Sequence, residues 1–151
     1  MGYDIHAFAV GRPLILGGIK IPYDKGLAGH SDADVLVHAV CDALLGAAGM
    51  GDIGEHFPDS DYSYKDVNSL YLLKETWQRI HPHHQTIINM DATIFAQAPK
   101  LSPYKTAMRE KLAEVLALPA DRINIKATTT ERLGFIGKGE GIAAMCVVLI
   151  D

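Results

Sequence analysis

Cysteine is scarce in this chain: only Cys41 and Cys146 occur, each inside an apolar run. That usage argues against a disulfide framework and for buried free thiols in a reducing compartment. An excess of positive charge is also missing. Lys and Arg number 14 against 18 Asp and Glu, for a net charge of −4 and a pI near 5.9. No basic field is present to attract nucleic acid or anionic lipid, so any phosphate recognition must be local. Long hydrophobic runs are absent too. The longest, Ile142 to Ile150, is about half a membrane span, and no charged leader with a long apolar core precedes Asp4. A cytoplasmic protein with neither a nucleic-acid nor a membrane partner is expected. There is no internal repeat and no low-complexity segment.

What is present suits one compact domain over residues 1–151, with 48% hydrophobic residues and room to bury roughly two thirds of the unfolded surface. Tyr3 to Phe8 alternates like a strand. Leu14 to Leu16 and Ile19 to Ile21 flank Gly17-Gly18, the dipeptide of a tight hairpin. Asp34 to Gly49 reads as a helix ended by glycine. Gly51 to Tyr64 is a loop too long to be only a connector. Asn68 to Ile80 reads as a helix with Leu70, Leu73, Trp77 and Ile80 inward, so Trp77 is expected in the core rather than at a ligand. A strand over Thr86 to Ala96, a helix over Ser102 to Leu116, and strands over Ile123 to Thr130 and Ile142 to Ile150 follow. Strands and helices alternate, which predicts one sheet with helices on a face.

Metal-grade residues concentrate at two places. Asp4 and His6, two apart on a strand, project from one face. His30, Asp32, Asp34 and His38 crowd a loop-to-helix junction, where ionisable groups are costly to bury without partners. Ser31 with Asp34 resembles a capping box, which starts a helix that carries His38 in its second turn. Two imidazoles and a carboxylate supply three protein ligands, the count for a zinc ion that keeps a fourth position open. Spacing alone leaves the choice of second-cluster histidine open, since Asp34 could instead orient His38.

The second half carries phosphate chemistry. Lys126 to Glu131 ends a strand with three threonines and a carboxylate, which can hold a phosphate and offer a hard oxygen to Mg²⁺. Ala96 to Leu101 is a strand-to-helix loop whose free helix N-terminus and lysine suit an anion. In Leu133 to Gly141, Phe135 and Ile136 stand among glycines as an exposed apolar pair that asks for a partner surface. His81-Pro82-His83-His84 follows a helix end and reads as solvated imidazoles at a helix C-terminus, outside the site.

Six segments in order closely resemble the 2-C-methyl-D-erythritol 2,4-cyclodiphosphate synthases: Asp4-Ile-His6; Gly29 to Asp34 through His38; Asp42 to Ala48; Gly51 to Gly54 with Phe57-Pro58-Asp59; Ala96 to Lys100; and Lys126 to Glu131 with Gly139 to Gly141. The resemblance implies a homotrimer of α/β subunits, each an α+β sandwich with a four-stranded mixed sheet and helices on one face, and active sites between neighbours. It implies that 4-diphosphocytidyl-2-C-methyl-D-erythritol 2-phosphate closes on its own β-phosphate and expels CMP. Zinc, or another divalent transition metal, would sit at Asp4, His6 and His38, and Mg²⁺ or Mn²⁺ at Glu131. His30, Thr129 and Glu131 take the catalytic positions, with His30 a donor or electrostatic contact and no general base assigned. Asp4, His6, His30 and Ser31 would meet the reacting phosphates, and Asp52, Ile53, Gly54 and Asp59 the ribose and methylerythritol. Ala96, Pro99, Lys100, Leu101, Ala127, Thr128, Thr129, Thr130 and Glu131 would hold the cytidine diphosphate. Phe135 and Lys138 complete the contacts, Lys138 standing where many members have an arginine facing a threefold-axis cavity for an isoprenoid diphosphate.

Two other readings use the same residues. A zinc-dependent nucleotide diphosphate phosphohydrolase would give a linear product from a metal-bound water. A non-enzymatic trimeric nucleotide or metal sensor would bind without turnover.

Overall fold

The computed structural model describes residues 1–58, 60–64, 67–83 and 86–151. Its main sheet has five strands in the order β4-β1-β7-β5-β6, where β1 is Gly2–Val10, β4 Lys25–Leu27, β5 Ile87–Phe95, β6 Ile123–Thr128 and β7 Gly141–Ile150. Only β5 and β6 run parallel; the other neighbours are antiparallel. A separate hairpin pairs β2 (Leu14–Leu16) with β3 (Ile19–Ile21). Gly17 and Gly18 turn it at φ of 57° and 74°, the pair of positive angles that a two-residue hairpin of this hand requires.

The expected four-stranded sheet is therefore corrected to five. β1 outruns β7: its pairing with β7 ends at Ala7–Gly141, and β4 takes up the remaining edge at Phe8–Leu27, Ala9–Gly26 and Val10–Lys25. The Lys-Gly-Leu of β4 has no alternation to announce a strand. Its Gly26 is required by close packing, because a Cβ there would lie 2.2 Å from the Pro13 carbonyl oxygen.

Three helices cover one face of the sheet: α1 (Val35–Ala47), α3 (Ser69–Ile80) and α4 (Lys105–Leu116). Helix α1 packs on β1 and β7 and under α3, so Val35 to Val37, Ala39 to Cys41 and Ala43 to Leu45 are all buried. In α3 the buried face is Leu72, Leu73, Thr76 and Ile80, slightly rotated from the expected stripe. Leu70 and Trp77 are partly buried against the core, and the Trp77 ring lies 5.2 Å from that of His81. The long loop contains a short helix, α2 (Ile53–His56), and a 3-10 turn at Tyr62–Tyr64. The glycine-rich segment also holds a short helix, α5 (Gly134–Gly137). Of its expected exposed pair only Phe135 is exposed; Ile136 is buried. Both cysteines are free and buried, and burial pushes their thiols up to about 12. No helix among the described residues is long and apolar enough to cross a membrane.

Asp34, not Ser31, caps α1. Its fully buried carboxylate accepts from Val37 N at 3.1 Å and also from Gly17 N at 2.9 Å and Gly18 N at 2.6 Å. One side chain thus ties the helix start to the hairpin turn. Burial raises its pKa, and the three backbone donors oppose that rise. Asp34→Ala removes a cap and strands two turn amides, a loss of roughly 2–4 kcal/mol in unfolding free energy. A lowered midpoint with unchanged slope in urea denaturation checks this.

Candidate active site

The pleat of β1 sends Asp4 and His6 to the helix face, where α1 brings His38. Three atoms converge: Asp4 Oδ2 is 2.9 Å from His6 Nε2 and 3.0 Å from His38 Nδ1, and the two nitrogens are 3.1 Å apart. The remaining ring nitrogens are anchored. His6 Nδ1 lies 2.7 Å from the Ala28 carbonyl oxygen, and His38 Nε2 lies 3.0 Å from Ser69 Oγ and 3.1 Å from Ser31 Oγ.

A carbonyl oxygen only accepts, so His6 Nδ1 carries the proton in the neutral ring and Nε2 turns a lone pair toward Asp4. That arrangement asks for a cation. Burial alone would raise the Asp4 carboxyl, but hydrogen bonds from His38 and His6 and their charge hold it well below the usual carboxylate range. Burial alone would lower His6, yet its bond to Asp4 and that carboxylate's charge leave it raised. A proton fills the gap in the bare protein, and a metal can replace it. Ligand atoms about 2.0–2.1 Å from a tetrahedral zinc stand about 3.3 Å apart; the three here already do so within a few tenths of an ångström. The donor set, two imidazoles and a carboxylate, also fits.

These atoms open into a cavity of about 390 Å³ whose walls include His30, Ser31, Ile53, Gly54, Phe57 and Tyr64. His30 Nδ1 is buried with no hydrogen-bond partner among the described residues. Ser31 is buried, and its Oγ also accepts from Ala33 N at 3.1 Å. Arg12 donates to the carbonyls of Gly29 and Ser31 and so holds the His30 loop from behind. Asp34 does not orient His38, because its carboxylate is spent on the hairpin and the cap. Behind the far wall, Asp42 of α1 accepts from Ile53 N at 2.8 Å, and exposed Asp52, which does not line the cavity, caps α2 through Glu55 N at 3.0 Å. Arg79 pins the loop, donating to His56 Nδ1 at 2.8 Å and lying 4.7 Å over the Phe57 ring. Asp59 lies outside the described residues.

A second cavity, about 320 Å³, gathers Ala96, Pro99, Lys100, Leu101, Ala127, Thr128 and Thr129, joined by Gln97, Ser102 and Lys105. Next to it, Glu131 sits in the left-handed region at φ 52°, and its Oε1 accepts from Thr129 Oγ1 at 2.8 Å. Gln97 accepts from Arg132 N at 3.1 Å, tying the two loops together. The Thr130 hydroxyl donates to the Leu133 carbonyl at 2.7 Å. Phe135 and Lys138 are exposed at α5 and line neither cavity. Register places Asp4 opposite Ala144, Ala144 opposite Ile94 and Ile94 opposite Ala127. Three strand spacings, about 14 Å, therefore separate the two groups within one chain.

Sequence reasoning missed Arg12, Ser69 and Arg79. Each acts through a contact with a distant segment, and none belongs to a local motif; Gln97 lies in the expected Ala96 to Leu101 loop, but its link to Arg132 spans segments far apart in sequence. Asp32 was noticed as a charge but not as the acceptor for Ser69, which it contacts through both the backbone amide at 3.1 Å and the hydroxyl.

The YgbB family model matches residues 1–151. A relative named 2-C-methyl-D-erythritol 2,4-cyclodiphosphate synthase, from Desulfatibacillum aliphaticivorans, is 57% identical over 150 residues, covering 99% of this chain and 97% of its own. Among solved structures, the bifunctional IspDF of Campylobacter jejuni superposes with a TM-score of 0.95 at 48% identity, matching 99% of this chain and 40% of that longer one. The CDP complex of IspF from Plasmodium falciparum gives a TM-score of 0.85 at 33% identity, over 99% of this chain and 91% of that one. With its fold matched by these structures and its full length by the family model, the chain belongs to the YgbB family, that of the 2-C-methyl-D-erythritol 2,4-cyclodiphosphate synthases.

Proposed function

We propose that this chain converts 4-diphosphocytidyl-2-C-methyl-D-erythritol 2-phosphate into 2-C-methyl-D-erythritol 2,4-cyclodiphosphate and CMP, a phosphorus–oxygen lyase step of non-mevalonate isoprenoid precursor synthesis. One domain over residues 1–151 carries it, in the cytoplasm, where the free cysteines stay reduced. The observation that carries the reading is the convergence of Asp4, His6 and His38 in the wall of a cavity of about 390 Å³. Asp4, His6 and His38 would hold zinc or another divalent transition metal, Glu131 would hold Mg²⁺ or Mn²⁺, and such ions neutralise and polarise a diphosphate.

The chain's own residues do the rest by placement. An oxygen of the 2-phosphate bonds to the β-phosphorus, the bond from that phosphorus to the bridging oxygen breaks, and its electron pair leaves on CMP. No water is consumed, and the attacking phosphate is already ionised near neutral pH, so no general base is required. His30 lines the cavity, where its ring suits a phosphate oxygen. Ile53, Gly54 and Phe57 close the cavity around the methylerythritol. The backbone and hydroxyls at Thr128 and Thr129, with Lys100, suit the cytidine diphosphate.

A homotrimer with sites shared between neighbours is the assembly we infer. The two half-sites lie about 14 Å apart across one sheet, and the helix-free face of that sheet exposes Tyr3, Ile5, Val147 and Leu149. An apolar sheet face of this kind is suited to burial against other copies. Lys138, exposed beside Phe135, supplies a cation for an isoprenoid diphosphate on the threefold axis.

Phosphorus NMR of the reaction mixture tests the activity. CMP with a cyclic diphosphate is expected, and a linear phosphate would point to hydrolysis instead. His38→Ala should cut turnover by roughly three orders of magnitude, the loss expected from several kcal/mol of charge stabilisation, while circular dichroism stays unchanged. A His38→Ala chain reassembled with a Glu131→Ala chain should regain part of the wild-type rate, because some hybrid sites receive both intact halves. No recovery in verified mixed trimers would place each site within one chain.

A further inference from the structure

We propose that Asp32 and Ser69 are positioning residues that fix the ring tautomer of His38 and thereby set how tightly the Asp4, His6 and His38 group takes a divalent transition metal. The proposal rests on reading those three as metal ligands. Ser69 opens α3 just after its cap, Asn68, and is fully buried. It sits far from the ligands in sequence, yet its Oγ is 3.0 Å from His38 Nε2.

The direction of each hydrogen bond follows from donor counting. The Asp32 carboxylate accepts from Ser69 N at 3.1 Å and from Asp34 N at 3.3 Å, and its Oδ1 also takes the Ser69 hydroxyl. An ionised carboxylate has no proton to give, so the hydroxyl must donate to it. Ser69 has one hydroxyl proton, and Asp32 takes it. Toward His38 Nε2, Ser69 Oγ can then only accept, which places the imidazole proton on Nε2. Ser31 closes the set: its Oγ lies 3.1 Å from Nε2, accepts from Ala33 N, and has Ser69 Oγ at 3.3 Å to receive its own proton. Nδ1 is left bare, facing Asp4 Oδ2 at 3.0 Å and His6 Nε2 at 3.1 Å. The other tautomer would aim a proton into the place where a metal must bind. The Ala28 carbonyl does the same for His6, so both imidazoles are preset from behind, one by backbone and one by a serine–aspartate pair.

A purely structural role, docking the start of α3 on the His30 loop, makes different predictions. Partners behind a ligating histidine typically set metal affinity by about 10–100-fold. Ser69→Ala should weaken zinc binding by that factor in competition with a chromophoric chelator, and Ser69→Thr should restore it to within a few-fold. In the metal-free protein, at a pH where the ¹⁵N spectrum shows the neutral ring, NMR should find His38 protonated at Nε2 in the wild type. In Ser69→Ala it should find a mixture of tautomers. Asp32→Asn offers a second route: its amide can donate to Ser69 Oγ, which frees the hydroxyl proton for Nε2 and shifts the tautomer the same way. A folded Ser69→Ala or Asp32→Asn protein with wild-type tautomer and zinc affinity would overturn the proposal. If the wild type takes no zinc while the tautomer shift is seen, the ligand reading falls and the serine–aspartate relay stands.

Discussion

Everything at the site depends on two imidazole nitrogens and a carboxylate oxygen being held within about a hydrogen bond of one another with too few protons between them. Such a cluster is unfavourable unless a cation enters it, and it survives because rigid elements hold each member. Asp4 and His6 are fixed by the pleat of a strand whose neighbour, β7, is buried at Ile142 and Ala144. His38 rides on α1, the most deeply buried helix. The hydrophobic core therefore does chemical work at one remove: burying α1 against β1 and β7 forces the three polar side chains together. Asp34 guards that arrangement by locking the start of α1 to the hairpin, which is why a buried carboxylate four residues before His38 takes no part in it.

The cavity beyond the cluster is closed by a different logic. Among the described residues, the segment after α1 forms no strand and is tethered instead by side chains reaching from helices. Asp42 of α1 holds the start of α2, and Arg79 of α3 holds His56 and Phe57. One wall is thus rigid and made of sheet and α1, while the other is a loop fastened at a few points. That division suits a polyanionic substrate, which needs fixed charge on one side and adjustable enclosure on the other. The second cavity stands across the sheet on the β5 and β6 loops, where crossed contacts such as Gln97 to Arg132 bind two strand ends into one surface.

Much of this was legible in the sequence, and the failures share a cause. Strand β1, the Gly17-Gly18 hairpin, α1 with His38, and the apolar β7 all follow from local periodicity and turn chemistry. The three-ligand reading follows from residue type, although spacing alone did not choose between His30 and His38. That choice is made by α1 packing, which turns His38 toward β1 and leaves His30 on the cavity wall. The missed pieces are set by distant partners. Strand β4 is defined by its pairing with the edge of β1 away from β7, a contact between segments far apart in sequence. Ser69 looks like any helix-start serine until Asp32 and His38 are placed around it. The capping role passes from Ser31 to Asp34 because the Ser31 hydroxyl is needed beside His38.

The most direct test of the account is a crystal of the protein grown with zinc, with anomalous diffraction recorded at the zinc edge. The account predicts one strong peak per chain about 2.0–2.2 Å from Asp4 Oδ2, His6 Nε2 and His38 Nδ1. A peak bound through His38 Nε2, or zinc held elsewhere with these three side chains still in mutual contact, would contradict it.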